Sequence, residues 1–212
     1  MDFSYNRLVL IGHCQSGRNL IERLIKFNYP QYVIENHCFY NQKHIDHNFI
    51  NFLYTKIPNG KILISRCNDP TFLHKTNISF NEWKFIQIDR NILDSVASSM
   101  IVYKMNMIEA INWLDHQILN QSILYEKIKY RTFKTGFDEL FQNTYYVINK
   151  IFKFIEMETP RKEIIEEYAS KEITFKFMRD NKCEIGEEAN LIGMKKEIME
   201  NIRNETVKHN RL

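Results

Sequence analysis

The sequence has 212 residues and a formal net charge of +3 at pH 7, because 29 lysines and arginines are mixed with 26 aspartates and glutamates. Without a basic block, the composition argues against a nucleic-acid partner, and four scattered cysteines with no Cys-x-x-Cys pair favour neither a zinc site nor a secreted disulfide framework. No apolar run approaches the length of a membrane span. From the length we expect one domain over residues 1–212, and from the cysteine pattern a cytoplasmic location.

The first predicted element is a strand that runs through a tight loop into a helix. Residues 8–11, LVLI, form an unbroken apolar run that ends at Gly12, and apolar residues recur at helical spacing between Leu20 and Ile25. Residues 12–17, GHCQSG, lie between them. Small and polar residues in such a loop let backbone N–H groups converge on an anion, most commonly a phosphate. A glycine-bounded turn without a ligand would give the same pattern.

The residues after this loop bear on the kind of anion. A nucleoside-triphosphate loop carries a lysine and then a serine or threonine after its second glycine. Here Arg18 keeps the positive charge, but Asn19 lacks the hydroxyl group that ligates magnesium. The sequence therefore favours an anion site without a metal.

Further strands and helices alternate along the chain. Residues 31–34 predict a second strand, with Glu35 and His37 directly after it, where residues tend to line the ligand crevice. Helical spacing over residues 46–57 then precedes a third predicted strand over residues 61–65.

A fourth predicted strand, residues 85–88, ends just before Arg90, and the helix after it carries Ser98. A guanidinium group and a hydroxyl group placed in this way can face one crevice and suit a phosphate monoester. The alternative is a surface ion pair of Arg90 with Asp94 and a serine packed for its small size.

The rest of the chain predicts a helix over about residues 107–126, a strand over 127–133, a helix over 137–157 and a charged helical part from about residue 160. Strands separated by helices throughout predict an α/β fold, a three-layer sandwich with a mainly parallel sheet. Ligands then bind at the C-terminal ends of the strands.

The two anion motifs together resemble those of the sulfotransferases that use 3′-phosphoadenosine 5′-phosphosulfate (PAPS) and release adenosine 3′,5′-bisphosphate (PAP). In that family a strand, loop and helix cradle the 5′-phosphosulfate, and residues 15–20 occupy this position here. The family's second signature, Arg-Asn with a serine eight positions after the arginine, holds the 3′-phosphate. Arg90, Asn91 and Ser98 reproduce it. The resemblance spans roughly residues 6–158 and implies a divergent member with a P-loop-like fold.

The resemblance also implies roles for individual residues. The implied cofactor-binding residues are Gln15, Ser16, Gly17, Arg18, Asn19, Leu20, Arg90 and Ser98. Gln15 replaces the basic residue expected beside the bridging oxygen, so Arg18 becomes the candidate for the missing catalytic charge. His37 is the first candidate for the general base and Glu35 the second. Some members use a histidine after the third strand, where this chain has residues 65–67, SRC.

The implied reaction is transfer of a sulfuryl group to a hydroxyl or amine of a small-molecule or glycan acceptor, without a metal. Two alternatives stay open at this point: a catalytically silent nucleotide-binding or scaffold protein of the same fold, and a divergent P-loop kinase. The neutral Gln15 favours the first, and Asn19 argues against the second. Residues 182–186 are a candidate for the family's C-terminal phosphate-contacting segment. The acceptor and the oligomeric state do not follow from the sequence.

Overall fold

The computed structural model describes residues 3–13, 16–39, 47–75 and 77–170. Within these residues the strands are β1 (Arg7–Gly12), β2 (Val33–Phe39), β3 (Ile62–Cys67), β4 (Trp83–Asp89) and β5 (Thr132–Gly136). The helices are α1 (Arg18–Asn28), α2 (His47–Tyr54), α3 (Thr71–Lys75), α4 (Ile92–Tyr103), α5 (Met107–Ile128), α6 (Phe137–Gln142), α7 (Thr144–Phe154) and α8 (residues 162–170).

The strands form one parallel sheet in the order β2-β3-β1-β4-β5. Strand β1 lies in the centre, and its side chains alternate between the two faces. Leu8 and Leu10 pack under α1 and α7, whereas Val9 and Ile11 pack under α2 and α5. A strand covered on both faces needs the continuous apolar run that the sequence shows.

The two helical layers have separate cores. On one face, α1 and α7 pack through buried aliphatic side chains, with α8 at the margin. On the other face, α2 and α5 cover β1, β3 and β4 with an aromatic-rich core around Phe52 and Phe85. Helix α4 packs mainly against α5. The predicted three-layer α/β sandwich with a parallel sheet is therefore confirmed.

Several predicted boundaries are wrong. Strand β2 extends to Phe39, so Glu35 and His37 lie within it rather than after it. Residues 127–128 belong to α5, and the last strand begins at Thr132 after a short 3-10 turn. The single helix predicted over residues 137–157 is two helices, α6 and α7, which meet at Asn143.

The strand order places a ligand crevice between β1 and β4. From β1 the chain crosses through α1 to β2 on one side of the sheet, and from β4 it continues to β5 on the other side. Adjacent parallel strands whose connections diverge in this way open a crevice at their C-terminal ends. The loop after Gly12 and the turn at Arg90 both lie there. The described residues include no helix that combines the length and apolar character needed to cross a membrane.

Candidate functional site

The loop between β1 and α1 is built by two glycines that no other residue can replace without strain. A Cβ atom on Gly12 would collide with Ser16 Oγ and lie 2.8 Å from the backbone oxygen of Ile88 on β4. Gly17 has a φ of 86° and would place a Cβ atom 2.9 Å from the ring of Phe141. The chain thus turns sharply from strand to helix and stays close to β4.

The N-terminus of α1 differs from those of the two later long helices. Asn91 accepts a hydrogen bond from Leu93 N at 2.9 Å and caps α4, and Asn106 with Glu109 forms a capping box on α5. As in α7, helix α1, which begins at Arg18 after its N-cap residue Gly17, has no side-chain cap and no acidic residue in its first turn. Its first N–H groups and its dipole therefore favour an external anion.

Ser16 adds a hydroxyl group to this position. The residue is buried, and its Oγ atom has no hydrogen-bond partner among the described residues. A buried hydroxyl group without a partner costs free energy, so this atom is suited to bind a ligand oxygen. The residues present therefore fit a phosphate or phosphosulfate group at the loop.

Arg18 does not point into solvent. Its guanidinium group is buried and donates from Nη1 to the backbone oxygen of Cys67 at 2.7 Å, and from Nη2 to the backbone oxygen of His13 at 3.1 Å. A further hydrogen bond reaches the side-chain oxygen of Asn68. Arg18 therefore ties the start of the loop to the C-terminal end of β3.

The two residues after Arg18 face different surroundings. The side-chain oxygen of Asn19 accepts a hydrogen bond from Arg66, whose Nε atom lies 2.8 Å from Oε2 of the buried Glu22. Leu20 is fully buried in the core, and its backbone N–H donates to the oxygen of Gly17 at 3.1 Å. The structure thus gives Leu20 a packing position beneath the loop.

His13 follows β1 directly and lies among charged groups. Burial is the main reason that its pKa lies below the ordinary value, and the cations of Arg18 and Arg90 lower it further. Asp89 and the neighbouring side chain of Gln117 on α5 raise the pKa and so act in the opposite direction. His13 therefore contributes a neutral imidazole to the ligand-free loop near pH 7.

The second predicted anion position is also buried. Arg90 forms an ion pair with Asp94 one turn along α4, and its guanidinium carbon lies 4.7 Å from the centre of the Phe137 ring. Ser98 lies a further turn along the same helix and is 3% exposed. The Arg90–Asp94 pair anticipated as the alternative is therefore present, with the Arg90 side chain buried and the Asp94 side chain 20% exposed.

Three of the predicted site residues have no described side chain. Gln15 lies outside the described residues, as do residues 182–186. For Glu35 and His37 the structure describes the backbone, which places Glu35 opposite Leu63 and His37 opposite Ser65 on β3. Their roles as general bases stay predictions, as do the cofactor contacts of residues 15–20, Arg90 and Ser98.

The structure brings together a polar cluster that the sequence analysis missed. Asp69, just after β3, is buried, and its Oδ1 atom accepts a hydrogen bond from Thr71 N at 2.9 Å. Its Oδ2 atom lies 3.2 Å from Nε2 of His116 on α5. Asn120, one turn further along α5, lies 3.0 Å from the same nitrogen and 2.8 Å from Nε2 of His74 on α3.

One signal in the sequence points to this cluster. His116, Gln117, Asn120 and Gln121 are polar residues at helical spacing in a helix whose other inward residues are apolar, and all but His116 are almost completely buried. Buried polar residues at such spacing need partners, and Asn68 and Asp69 follow β3. The described residues hold no group of three or more histidine, cysteine, aspartate or glutamate side chains that could bind a metal ion.

Comparison with known proteins gives matches by structure alone. No protein-family model matches the sequence, and no curated protein matches it. A mouse sulfotransferase, SULT7A1, complexed with PAP is 13% identical with a TM-score of 0.56, over 84% of this chain and 69% of that one.

Two further solved structures are similar over most of this chain. Retinol dehydratase in a complex with retinol and PAP is 10% identical with a TM-score of 0.52, over 89% of this chain and 70% of that one. A sulfotransferase from Alicyclobacillus acidocaldarius is 10% identical with a TM-score of 0.50, over 87% of this chain and 98% of that one. At these identities the likeness establishes a shared fold.

Proposed function

We propose that this chain, which has the sulfotransferase fold, transfers a sulfuryl group from PAPS to a hydroxyl or amine acceptor. The observation that carries the proposal is the loop after β1, where an uncapped helix N-terminus directly follows Ser16 and its unpartnered hydroxyl group. That position lies at the divergence of β1 and β4, where parallel α/β folds bind their ligands.

The loop would hold the 5′-phosphosulfate. As the bond from sulfur to the bridging oxygen breaks, negative charge develops on that oxygen, and aligned N–H donors at the start of α1 can stabilise it. Ser16 Oγ would add one hydrogen bond. Gln15 and Arg18 remain the predicted residues beside the leaving group, with Arg18 in place of the usual basic residue.

Arg90 and Ser98 would hold the 3′-phosphate. The guanidinium group is fixed between Asp94 and the face of Phe137, which limits the orientations it can adopt. A phosphate there would share Arg90 with Asp94, so the favourable contact is partly offset by repulsion from the carboxylate. Ser98, four positions after Asp94, supplies a neutral hydroxyl group on the same side of α4 as Asp94.

The acceptor would enter from the side of β2 and β3. His37, with Glu35 second, is the base predicted from the sequence, and both lie on β2. Solved structures of retinol dehydratase hold retinol or androsterone, each an alcohol. We therefore propose a small hydroxyl compound as acceptor for this chain, with a glycan as the alternative.

The position of Arg18 favours a second candidate function, PAP or PAPS binding without turnover. Its guanidinium group already donates to His13, Cys67 and Asn68, and these bonds would have to be shared or broken before it could stabilise a leaving group. A kinase is less well supported, because position 19 carries no hydroxyl group to bind magnesium and the side-chain oxygen of Asn19 already accepts a hydrogen bond from Arg66.

Calorimetric titration with PAP and with adenosine 5′-phosphate tests the binding site. PAP should bind without a metal and more tightly than adenosine 5′-phosphate, because Arg90 and Ser98 meet the 3′-phosphate. Arg90→Ala should weaken PAP by a few kcal/mol, the scale for a lost charged hydrogen bond, and Ser98→Ala by less. Equal weakening of both nucleotides by Arg90→Ala would show that Arg90 does not bind the 3′-phosphate.

Turnover separates the two candidate functions. The wild-type protein would be incubated with PAPS and a panel of phenol, hydroxysteroid, retinol and sugar acceptors, and the release of PAP would be followed. Sulfated product supports the transferase. Tight PAP binding with no product from any acceptor would favour the silent nucleotide-binding protein. A melting temperature that rises with ATP and magnesium but not with PAP would favour the kinase.

A further inference from the structure

The cluster formed by Asp69, His116 and Asn120 has the layout of an acid–base site. The carboxylate of Asp69 is completely buried, whereas the His116 side chain is 51% exposed. One end of the imidazole therefore faces a buried charge, and the rest of the ring is open to solvent. Within the described part of the chain, Nδ1 of His116 makes no hydrogen bond to protein.

The surroundings of Nε2 determine which ring nitrogen carries the hydrogen. Oδ2 of Asp69 is buried and accepts no hydrogen bond in the described part of the chain, and Nε2 of His116 at 3.2 Å is a group placed to supply one. If Nε2 carried a lone pair, it would face this carboxylate oxygen at 3.2 Å, which is repulsive and leaves a buried charge unsatisfied. A hydrogen on Nε2 removes both penalties. The Asn120 atom placed 3.0 Å from Nε2 is the amide nitrogen Nδ2, so the amide must rotate by about 180° to present its oxygen to that hydrogen, with Nδ2 then donating to Nε2 of His74. Nδ1 then keeps its lone pair.

The cluster lies beside the phosphate loop. Asn68, next to Asp69, accepts from Arg18, which also donates to the backbone oxygen of His13. Gln117, next to His116, lies near His13, and Gln121 on the next turn of α5 donates to the backbone oxygen of Asn68 at 2.9 Å. Asp69 and His116 are therefore each next in sequence to a residue that lies at the loop, Asn68 after β3 and Gln117 on α5.

Resting on the proposed function, we propose that His116 is the general base for the acceptor and that Asp69 is its positioning residue. His116 Nδ1 takes the proton from the acceptor hydroxyl as its oxygen forms a bond to sulfur. The bond from sulfur to the bridging oxygen breaks, and its electron pair goes to the 5′-phosphate of the departing PAP. Asp69 holds the ring by Nε2 and stabilises the imidazolium that forms.

Acceptor dependence of the rate tests the role of His116. His116→Gln should lower kcat with androsterone at least 100-fold, because an alcohol needs a base. The loss with 4-nitrophenol, which ionises near neutral pH without help, should be within about fivefold. PAP affinity should stay within about twofold, because His116 meets the acceptor and not the nucleotide. Asp115→Asn, an exposed change at the neighbouring position of α5, serves as the control and should keep the wild-type rate.

Nitrogen-15 NMR of the imidazole rings provides a readout that needs no activity. The His116 signal, identified by its loss in His116→Gln, should show hydrogen on Nε2 in the wild-type protein. In Asp69→Asn, the new amide N–H can donate to Nε2 and should invert the tautomer, so that Nδ1 carries the hydrogen. The same variant should lower kcat with androsterone at least tenfold with little change in KM.

The outcomes separate this proposal from the one it rests on. No PAP release by the wild-type protein with any acceptor overturns the proposed transferase, and the role of His116 with it. Turnover that is unaffected by His116→Gln but lost in His37→Gln overturns the role of His116 alone and supports the base predicted on β2. A wild-type His116 with hydrogen on Nδ1 also overturns the proposal, because no lone pair would face the acceptor.

Discussion

Gly17→Ala is the sharpest test of the loop geometry. At a φ of 86° an alanine adopts the left-handed conformation, which costs about 1–2 kcal/mol. The added Cβ atom would also lie 2.9 Å from a Phe141 ring carbon and 3.0 Å from Leu140 Cδ2, and overpacking of this kind costs about 1–3 kcal/mol. The free energy of unfolding should therefore fall by about 2–5 kcal/mol, which corresponds to a melting temperature lower by roughly 4–20 °C.

Gly136→Ala is the matched control for this substitution. Gly136 has a φ of −85°, and a Cβ atom there would meet nothing within 4 Å. Alanine restricts the unfolded chain, which stabilises the protein, but it is a poorer N-cap residue for α6 than glycine, which destabilises it. The two effects oppose each other, so the free energy of unfolding should change by less than about 0.5 kcal/mol. Urea unfolding followed by circular dichroism measures both variants. Equal midpoints for the two would refute the described conformation of the loop, and PAP binding should be lost in Gly17→Ala alone.

Three further predictions concern the same loop. Ser16→Ala should leave the ligand-free protein as stable as the wild type or up to about 1 kcal/mol more stable, because it removes a buried hydroxyl without a partner, yet weaken PAP about tenfold by calorimetry. Arg18→Ala should lower the free energy of unfolding by about 2–4 kcal/mol, because three acceptors lose their donor. It should also reduce the turnover rate more than the affinity for PAP, whereas Gln15→Lys should preserve or raise the turnover rate. An unchanged turnover rate in Arg18→Ala would exclude a catalytic role for Arg18. Burial lowers the pKa of His13, so below about pH 6.5 the unfolded chain binds more protons than the folded protein, and stability falls on acidification. The urea midpoint should therefore drop between pH 7.5 and pH 5.5 by less in His13→Gln than in the wild-type protein. An identical drop in the two proteins would contradict this role of His13.

The parts of the fold that the sequence predicts are those with a strong local pattern. Residues 8–11 are apolar without a break because β1 is covered on both faces, and α1 follows at once with one buried side. Helix α4 also follows β4 as predicted and carries Ser98, and Asn91 caps its start. The resemblance to the sulfotransferases, drawn from these two segments, is confirmed for the fold.

The predictions fail where tertiary structure overrides the local pattern. Residues 35–37, Glu-Asn-His, look like a loop, but they belong to β2 at the edge of the sheet, where polar residues are tolerated. The alternating residues 127–133 look like a strand, yet Ile128 is the last buried residue of α5. The strand that follows is defined by its pairing with β4, which sequence spacing does not reveal.

The candidate site shows the same division. The loop residues and Arg90 are local motifs and can be found in the sequence. Asp69 and His116 are 47 positions apart, and the packing of α5 against α3, which directly follows Asp69 and Pro70, brings them together. The sequence shows only the polar residues at helical spacing on α5, and it does not show that their partner is Asp69.

The central position of β1 has a consequence for how the chain is made. Arg7 pairs with Leu63 on one side and with Trp83 on the other, so the most apolar strand is synthesised first and is fully paired only after β4 has emerged. At about 5–20 residues per second, β1 waits roughly 4–15 s for its second neighbour. During this interval it has an unpaired hydrophobic edge, and a ribosome stalled between β3 and β4 leaves a nascent chain prone to association with others.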